Sequence, residues 1–130
     1  MKSDLKMLIF CIIVLCIIIS TGVSIKSYLE KTTLKFNKDI DLTEAYIKIG
    51  DWENADRVIN NLNNAWKITE NKWSLFINHR EIDTIYMSLD NAIEYIKYKR
   101  EDHACAYLKQ LKHFFEHIPD MEKLSLKNIF

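Results

Sequence analysis

The sequence predicts an all-α protein, in which an N-terminal transmembrane helix is followed by an antiparallel bundle of three to four helices. Two observations lead to this fold class. The first is Met7–Ile19 (MLIFCIIVLCIII), which has no polar side chain apart from two cysteines. The second is that 130 residues include only two glycines and one proline, where average usage would give roughly six to nine of each. Because sheets, tight turns and long loops need these residues, their scarcity favours helices with short connections.

The apolar run is long enough to cross a bilayer. Extended from Leu5 to Ile25 it has about 21 residues and forms about 31 Å of helix, which matches a hydrocarbon core of about 30 Å. We therefore predict two parts: residues 1–25 as a short tail and transmembrane anchor, and residues 26–130 as a helical bundle domain. A cleaved signal peptide is the alternative, because Ser20-Thr21-Gly22 and Gly22-Val23-Ser24 are imperfect cleavage sequences.

We favour an uncleaved signal-anchor, because the run extends past the length of a signal peptide and continues into helical sequence. Lysines flank it on both sides, so their distribution does not fix the orientation. A short N-terminal tail before a long domain is typical of a signal-anchor, and long domains translocate largely regardless of charge. We expect a single-pass protein of the cell membrane, with the C-terminal domain extracytoplasmic.

The first helix of the domain continues from the anchor. Its apolar side recurs at spacings of three and four residues: Leu29, Thr33, Phe36 and Ile40. Residues 41–44 (Asp-Leu-Thr-Glu) have the form of a capping box, which predicts a break or restart near Asp41. The same face then continues through Thr43, Tyr46 and Ile47, and Gly50 is the predicted C-cap.

Asp51 is the predicted N-cap of the second helix. The apolar positions that follow are spaced alternately by three and four residues: Trp52, Ala55, Ile59, Leu62, Trp66, Thr69 and Trp73. This heptad-like seam predicts near-parallel packing against a neighbouring helix, with the tryptophans in its core. An exposed tryptophan binding face is the alternative. The helix–turn–helix at 42–55 also looks like one tetratricopeptide unit, but no second copy occurs.

Two more helices complete the domain. Asn78-His79-Arg80-Glu81 resembles a capping box and opens the third, which runs to about Tyr98. The fourth begins near Asp102. The apolar positions of these two helices are Ile82, Ile85, Leu89, Ile93 and Ile96, then Ala104, Leu108, Leu111, Phe115 and Ile118. Pro119 is predicted to end the fourth helix and to open a short turn through Met121 and Leu124.

Charge and cysteine content exclude some classes of function. Without Lys2, Lys6 and Asp4, the 18 basic and 18 acidic residues of the chain become 16 and 17 in the domain. This near-neutral balance lacks the basic surplus of a nucleic-acid-binding protein, so we predict no nucleic-acid partner. Cys105 is the single cysteine of the domain, which rules out a disulfide within it and fits a small buried side chain.

His113-Phe114-Phe115-Glu116-His117 matches the H-x-x-E-H pattern of inverted zinc peptidases. On a helix, His113 and His117 lie on one face, as two zinc ligands require. A peptidase also needs a third ligand and a large cleft, and only Asp120 and Glu122 follow His117 as acidic candidates. We therefore predict no metal site, with His113, Glu116 and His117 as weak candidates. We predict no catalytic residue and no cofactor.

A second polar cluster consists of His79, Glu81 and Asp83. His79 and Asp83 are four residues apart and could share a metal ion or a proton. Helix capping by Asn78 and Glu81, with His79 in solvent, explains the same residues more simply. The C-terminal Ile129-Phe130 either offers an apolar carboxylate to a peptide-binding partner or folds back onto the bundle.

Several of these features recur together in one known family. They are the N-terminal span, Gly50-Asp51-Trp52 with Ala55, Trp66, Trp73, His79, Glu81, Ile82, Asp83 and the closing Asn128-Ile129-Phe130. The chain thereby resembles a family of small single-span membrane proteins of spore-forming Firmicutes, known only as a domain of unknown function. The resemblance implies a cell-membrane location, a helical domain, no assigned activity and a complex with a multi-span membrane protein.

These observations favour a non-enzymatic accessory module that binds the lipid bilayer and another membrane protein, or a second copy of itself. An extracytoplasmic sensor that binds a small ligand is the alternative, although only residues 1–6 would remain to signal inside the cell. A zinc-dependent hydrolase is the remote third candidate.

Overall fold

The computed structural model describes the backbone of residues 1–129 and the side chains of residues 1–118 and 120. In this part of the chain there are four α-helices and no strand: α1 (Lys2–Lys48), α2 (Trp52–Trp73), α3 (His79–Lys97) and α4 (Glu101–Ile129). The all-α prediction is confirmed. The N-terminal apolar run and the first helix of the domain form one continuous helix of 47 residues, about 70 Å long at 1.5 Å per residue.

The four helices form an antiparallel bundle. α1 packs against α2 and α4, and α3 completes the ring by packing against α2 and α4. Three short connections (residues 49–51, 74–78 and 98–100) join successive helices, so neighbours run in opposite directions. The turns α1–α2 and α3–α4 therefore lie at the end of the bundle far from the apolar run, and the α2–α3 loop lies at the near end.

Each helix buries one apolar stripe in a common core. The buried residues are Leu29, Phe36, Ile40 and Ile47 of α1, Ala55, Ile59, Leu62, Trp66 and Trp73 of α2, Ile82, Ile85, Leu89, Ala92 and Ile96 of α3, and Ala104, Leu108, Leu111, Phe115 and Ile118 of α4. The spacing read from the sequence is thus confirmed in every helix. Of the positions on those stripes, Tyr46, Trp52, Thr69 and Ile93 are only half-buried.

Four aromatic rings from three helices meet at the centre of the core. Phe36 lies 5.0 Å from Phe115 and 6.1 Å from Trp66, measured between ring centroids. Trp66 packs edge-on against Trp73 at 5.4 Å, and Trp73 against Phe115 at 5.9 Å. These edge-to-face arrangements suit the ring quadrupoles. Trp66 and Trp73 thus supply core packing, as the seam of α2 predicts, whereas Trp52 is only half-buried.

The turn between α1 and α2 forms as the sequence predicts. Gly50 has a φ of +77°, and its N–H donates to the carbonyl of Ile47, while that of Asp51 donates to the carbonyl of Tyr46. This pair of bonds is a Schellman motif. The carboxylate of Asp51 then caps α2 by accepting from the backbone N–H of Asn54 at 3.2 Å.

The turn between α3 and α4 repeats this geometry without a glycine. Lys99 has a φ of 55°, and the same two bonds run from Lys99 to Ile96 and from Arg100 to Tyr95. A side chain at this left-handed position is strained. At the start of α3, the side chain of Asn78 accepts from the N–H of Arg80 at 3.0 Å, which confirms the predicted cap.

The predicted break near Asp41 is wrong, because α1 runs through it without interruption. The hydroxyl of Thr43 donates to the carbonyl of Asp39 within the helix instead of capping a new one. The carboxylate of Asp41 accepts a hydrogen bond from Lys112 of α4. The residues that resemble a capping box thus form an intrahelical hydrogen bond and an ion pair with α4. The buried side chains of Thr43 and Ile47 pack this part of α1 against the core.

The predicted end of α4 at Pro119 is also wrong, because the helix continues to Ile129. A proline inside a helix removes one hydrogen bond and crowds one carbonyl. The effect is confined to the turn before the proline, so the residues after it still form helical hydrogen bonds. The predicted short turn through Met121 and Leu124 is wrong for the same reason. The predicted placement of Ile129-Phe130 lies outside the described side chains.

Candidate functional site

Among the described side chains, the first half of α1 carries a long exposed apolar surface. Every residue from 1 to 20 is exposed, and nothing in the bundle covers the apolar run. Its most apolar window of 18 residues has none of its residues buried, and it has the length and composition of a membrane span or of a signal sequence. An exposed apolar surface of this size is typical of a segment that contacts a membrane or another protein.

No linker separates the apolar run from the bundle. Ile25 ends the run, and Leu29, the first fully buried residue of the core, follows four positions later on the same helix. That interval is about 6 Å of helix. The apolar run and the first wall of the bundle are consequently one rod, which fixes the bundle directly at the end of the apolar segment.

The H-x-x-E-H residues lie on the outer surface of α4. His113, Glu116 and His117 are all exposed. The two imidazoles stack with ring centroids 5.7 Å apart, on one face as predicted. Throughout the described part of the chain, no group of three or more histidine, cysteine, aspartate or glutamate side chains is arranged to hold a metal ion. The neighbouring Phe115 points into the core, so this stretch is the polar face of a core helix.

The second polar cluster opens α3. His79 and Asp83 are exposed and Glu81 is half-buried. Asn78 provides the cap of this helix through its bond to Arg80. His79 thus lies in solvent and Asn78 caps the helix, as the capping interpretation predicts, whereas the described residues show no capping bond from Glu81; among these residues the cluster is not arranged to hold a metal ion.

An open groove between α1 and α4 lies beside residues that sequence reasoning missed. It has a volume of about 550 Å³, and its lining is Ile40, Glu44, Asp102, Cys105, Ala106, Leu108, Lys109 and Lys112. Lys112 closes one side through its 2.7 Å bond to Asp41. No local sequence pattern could have predicted the contact of Asp41 with Lys112, because the two residues are 71 positions apart.

Cys105 is half-buried on this groove. Burial raises the pKa of its thiol above the ordinary value, and the carboxylates of Glu44 and Glu101 raise it further, while Lys48 acts in the opposite direction. The thiol is therefore held in its neutral, weakly nucleophilic form. This is the character of a packing side chain and not of an activated nucleophile.

A second groove on the same two helices contains buried polar atoms. It is lined by Glu30, Thr33, Leu34, Asn37, Glu116 and Asp120. Among the described residues, Thr33 Oγ1 and Asn37 Oδ1 are buried there without a hydrogen-bond partner. Its carboxylates are not grouped closely enough to hold a metal ion. The sequence stripe predicted Thr33 as a core position and gave no reason to single out Asn37.

Comparison with known proteins bears on the whole domain. Residues 23–129 match the family described as a domain of unknown function, DUF4363. No curated protein and no solved structure matches the chain. The match begins at the end of the apolar run and includes all of the bundle helices, in agreement with the resemblance noted from the scattered Gly, Trp and Asn-Ile-Phe positions. Since it spans 107 of the 130 residues, this protein belongs to the DUF4363 family.

Proposed function

We propose that this protein is a membrane-anchored accessory module without catalytic activity, whose bundle lies on the extracytoplasmic side and binds another membrane protein. The observation that carries the proposal is the continuity of α1 from the exposed apolar run into the core at Leu29. A helix that spans the membrane and also forms one wall of the bundle holds that bundle at the bilayer surface in a fixed orientation.

This geometry favours a partner in the same membrane. From Leu29 to Lys48, α1 rises about 30 Å, so the surfaces that pack alongside this stretch lie close enough to the bilayer for a partner in the same membrane to reach them. The near-neutral charge of the domain gives no electrostatic attraction for nucleic acid. The exposed histidines of α4 lack the third ligand that a zinc hydrolase needs among the described residues. A bundle held close to the bilayer, with neutral charge and no metal site among the described residues, fits best with a role in binding another membrane protein.

Affinity purification of the tagged full-length chain from detergent-solubilised membranes tests the proposal. We expect a stoichiometric integral membrane protein, or a homo-oligomer, after chemical crosslinking in cells. The matched control is Ile13→Asp with Ile17→Asp, which places two charges inside the apolar run and should remove both membrane association and the partner. A full-length chain that stays in the membrane as a monomer without any crosslinked partner would contradict the accessory role.

Sidedness has a separate test. In a variant with Cys11, Cys16 and Cys105 replaced by alanine, Ile49→Cys places one thiol at the exposed turn far from the apolar run. We expect a membrane-impermeant maleimide to label it in intact cells. Labelling only after the cells are lysed would put the bundle in the cytoplasm.

A ligand-binding sensor is the second candidate, and the groove of about 550 Å³ between α1 and α4 favours it. Small-molecule sites have volumes of roughly 300–1,000 Å³. A ligand that binds the folded state raises its melting temperature. Flat melting curves across a panel of metabolites would count against this role and leave the accessory role standing.

A further inference from the structure

We propose that the α2–α3 loop, residues 74–78, inserts Leu75 and Phe76 into the headgroup region of the bilayer, so that the bundle rests on the membrane through this loop as well as through α1. The inference rests on the proposed membrane anchor and adds a second contact to it. The occupant of the surface is the lipid at the boundary between headgroups and acyl chains.

The loop exposes two large apolar side chains in a fixed position. Leu75 is 77% exposed and Phe76 is 38% exposed. On either side of them, Trp73 and Ile77 are buried in the core. The N–H groups of Phe76 and Ile77 both donate to the carbonyl of Trp73, at 2.9 and 2.8 Å. These anchors prevent the loop from turning inward, so Leu75 and Phe76 remain on the outer surface of the bundle.

The loop lies at the depth where α1 leaves the hydrocarbon core. Leu75 and Phe76 line a groove of about 320 Å³ together with Ser24, Ile25, Tyr28 and Lys72. Ile25 is the last apolar residue of the run that we assign to the membrane. Each headgroup layer is about 5–8 Å thick, which matches the interval of about 6 Å between Ile25 and the core residue Leu29. The groove and the headgroup layer therefore occupy the same level.

The other side chains of the groove suit this environment. Tyr28 combines an apolar ring with a polar hydroxyl, and such residues are enriched where membranes meet water. Lys72 can lay its alkyl stem along the apolar groove and hold its ammonium group among the lipid phosphates. Because the groove is continuous with the surface of the span, lipid that surrounds Ile25 also reaches Leu75.

The opposite end of the bundle offers a matched control. Ile49, in the turn between α1 and α2, is 75% exposed, which is close to the value for Leu75. Both are aliphatic residues in helix connections. They differ in their place along the bundle, since α1 carries Ile49 away from the apolar run by the length of the domain.

Spin labels on the full chain test the proposal. Single cysteines replace Ile13, Leu75 or Ile49 in the variant without native cysteines, and the protein is reconstituted into vesicles of phosphatidylethanolamine and phosphatidylglycerol. Collisions with oxygen, which partitions into lipid, are compared with collisions with a water-soluble nickel chelate. We expect a lipid signature at Ile13 and an aqueous one at Ile49. At Leu75 we expect several-fold less nickel collision than at Ile49, with oxygen collision retained.

Each other outcome is decisive. Nickel collision at Leu75 equal to that at Ile49, with Ile13 in lipid, overturns the loop contact and leaves the anchor intact. An aqueous signature at Ile13 overturns both. Low collision with both reagents at Leu75 means that protein, such as a second copy, covers the loop, and also overturns the lipid assignment. Melting curves of the three labelled proteins confirm that each retains the fold.

Discussion

Lys112 Nζ donates a hydrogen bond to Asp41 Oδ1 at 2.7 Å, and this contact joins α4 to α1 across 71 positions of sequence. The capping-box sequence at 41–44 predicts a helix break here, but α1 is continuous and Asp41 binds Lys112 instead. Both side chains are partly exposed, so water and salt screen their attraction. The contact therefore contributes little to the net stability, and the buried contact of Phe36 with Phe115 holds the two helices together.

Replacing Asp41 by asparagine should lower the free energy of unfolding by about 0.2–1 kcal/mol, the range for exposed ion pairs. The hydrogen bond to Asp41 raises the pKa of Lys112 above 10.5. A raised lysine pKa stabilises the fold below the unfolded value, and this contribution is lost as pH rises through the folded value, so the variant and the native chain should converge above pH 10.5. Chemical unfolding in detergent micelles measures the difference. A double-mutant cycle with Lys112→Met isolates the pair, and zero coupling at low salt would disprove it.

Lys99→Gly should stabilise the protein by about 0.5–1 kcal/mol, because a left-handed residue with a Cβ is strained and glycine is not. Gly50→Ala is the matched reverse change. Its new methyl group has no neighbouring atom within 4 Å, so its cost of about 1 kcal/mol is conformational alone. Thermal melting followed by circular dichroism compares the two. The strain argument fails if Lys99→Gly melts at or below the native temperature.

Trp66→Ala should destabilise the bundle by about 3–5 kcal/mol, because the ring is fully buried and contacts Phe36, Trp73 and Phe115. Trp52→Ala serves as the control, since that ring is only half-buried at the start of α2. Urea titrations of both variants give the comparison. Equal losses in the two variants would mean that the aromatic cluster is not the centre of the core.

Alkylation of Cys105 should have its pH midpoint above that of the unfolded chain, because burial raises the pKa of the thiol. The thiolate is the reacting species, so the folded protein should react slowly at neutral pH. Rates of reaction with iodoacetamide, measured with Cys11 and Cys16 replaced by alanine, test this. The same variant in denaturant is the reference, and a lower midpoint in the folded protein would be the contrary result.

The histidines of α4 should hold no stoichiometric zinc, because the described residues offer them no third ligand. Metal analysis of protein purified without added zinc checks this, with His117→Ala as the matched variant. We expect equal, substoichiometric metal in both. One equivalent of zinc in the native chain that disappears in His117→Ala would revive the hydrolase hypothesis.

Local chemistry explains why the helices could be predicted. Asp51, Gly50 and Asn78 act on their own neighbours within a few residues, so their caps and turns could be predicted from the local sequence. The buried stripes follow from helical periodicity, which places positions such as Ile59 and Leu62 on one face. The groove beside the α2–α3 loop could not be predicted in this way. The sequence shows Leu75 and Phe76 in a loop and Ile25 at the end of an apolar run. Only the antiparallel packing of α1 and α2 brings them together.

The sequence by itself determined the all-helical class, the apolar run and the face that each helix buries, because these depend on side-chain polarity and on spacing along one helix. Tertiary structure alone decided that α1 continues through Asp41 and that the loop at 74–78 lies beside Ile25. The physical reason is that each of these features depends on which helices become neighbours. Contacts between residues far apart in the chain cannot be predicted from the local sequence pattern.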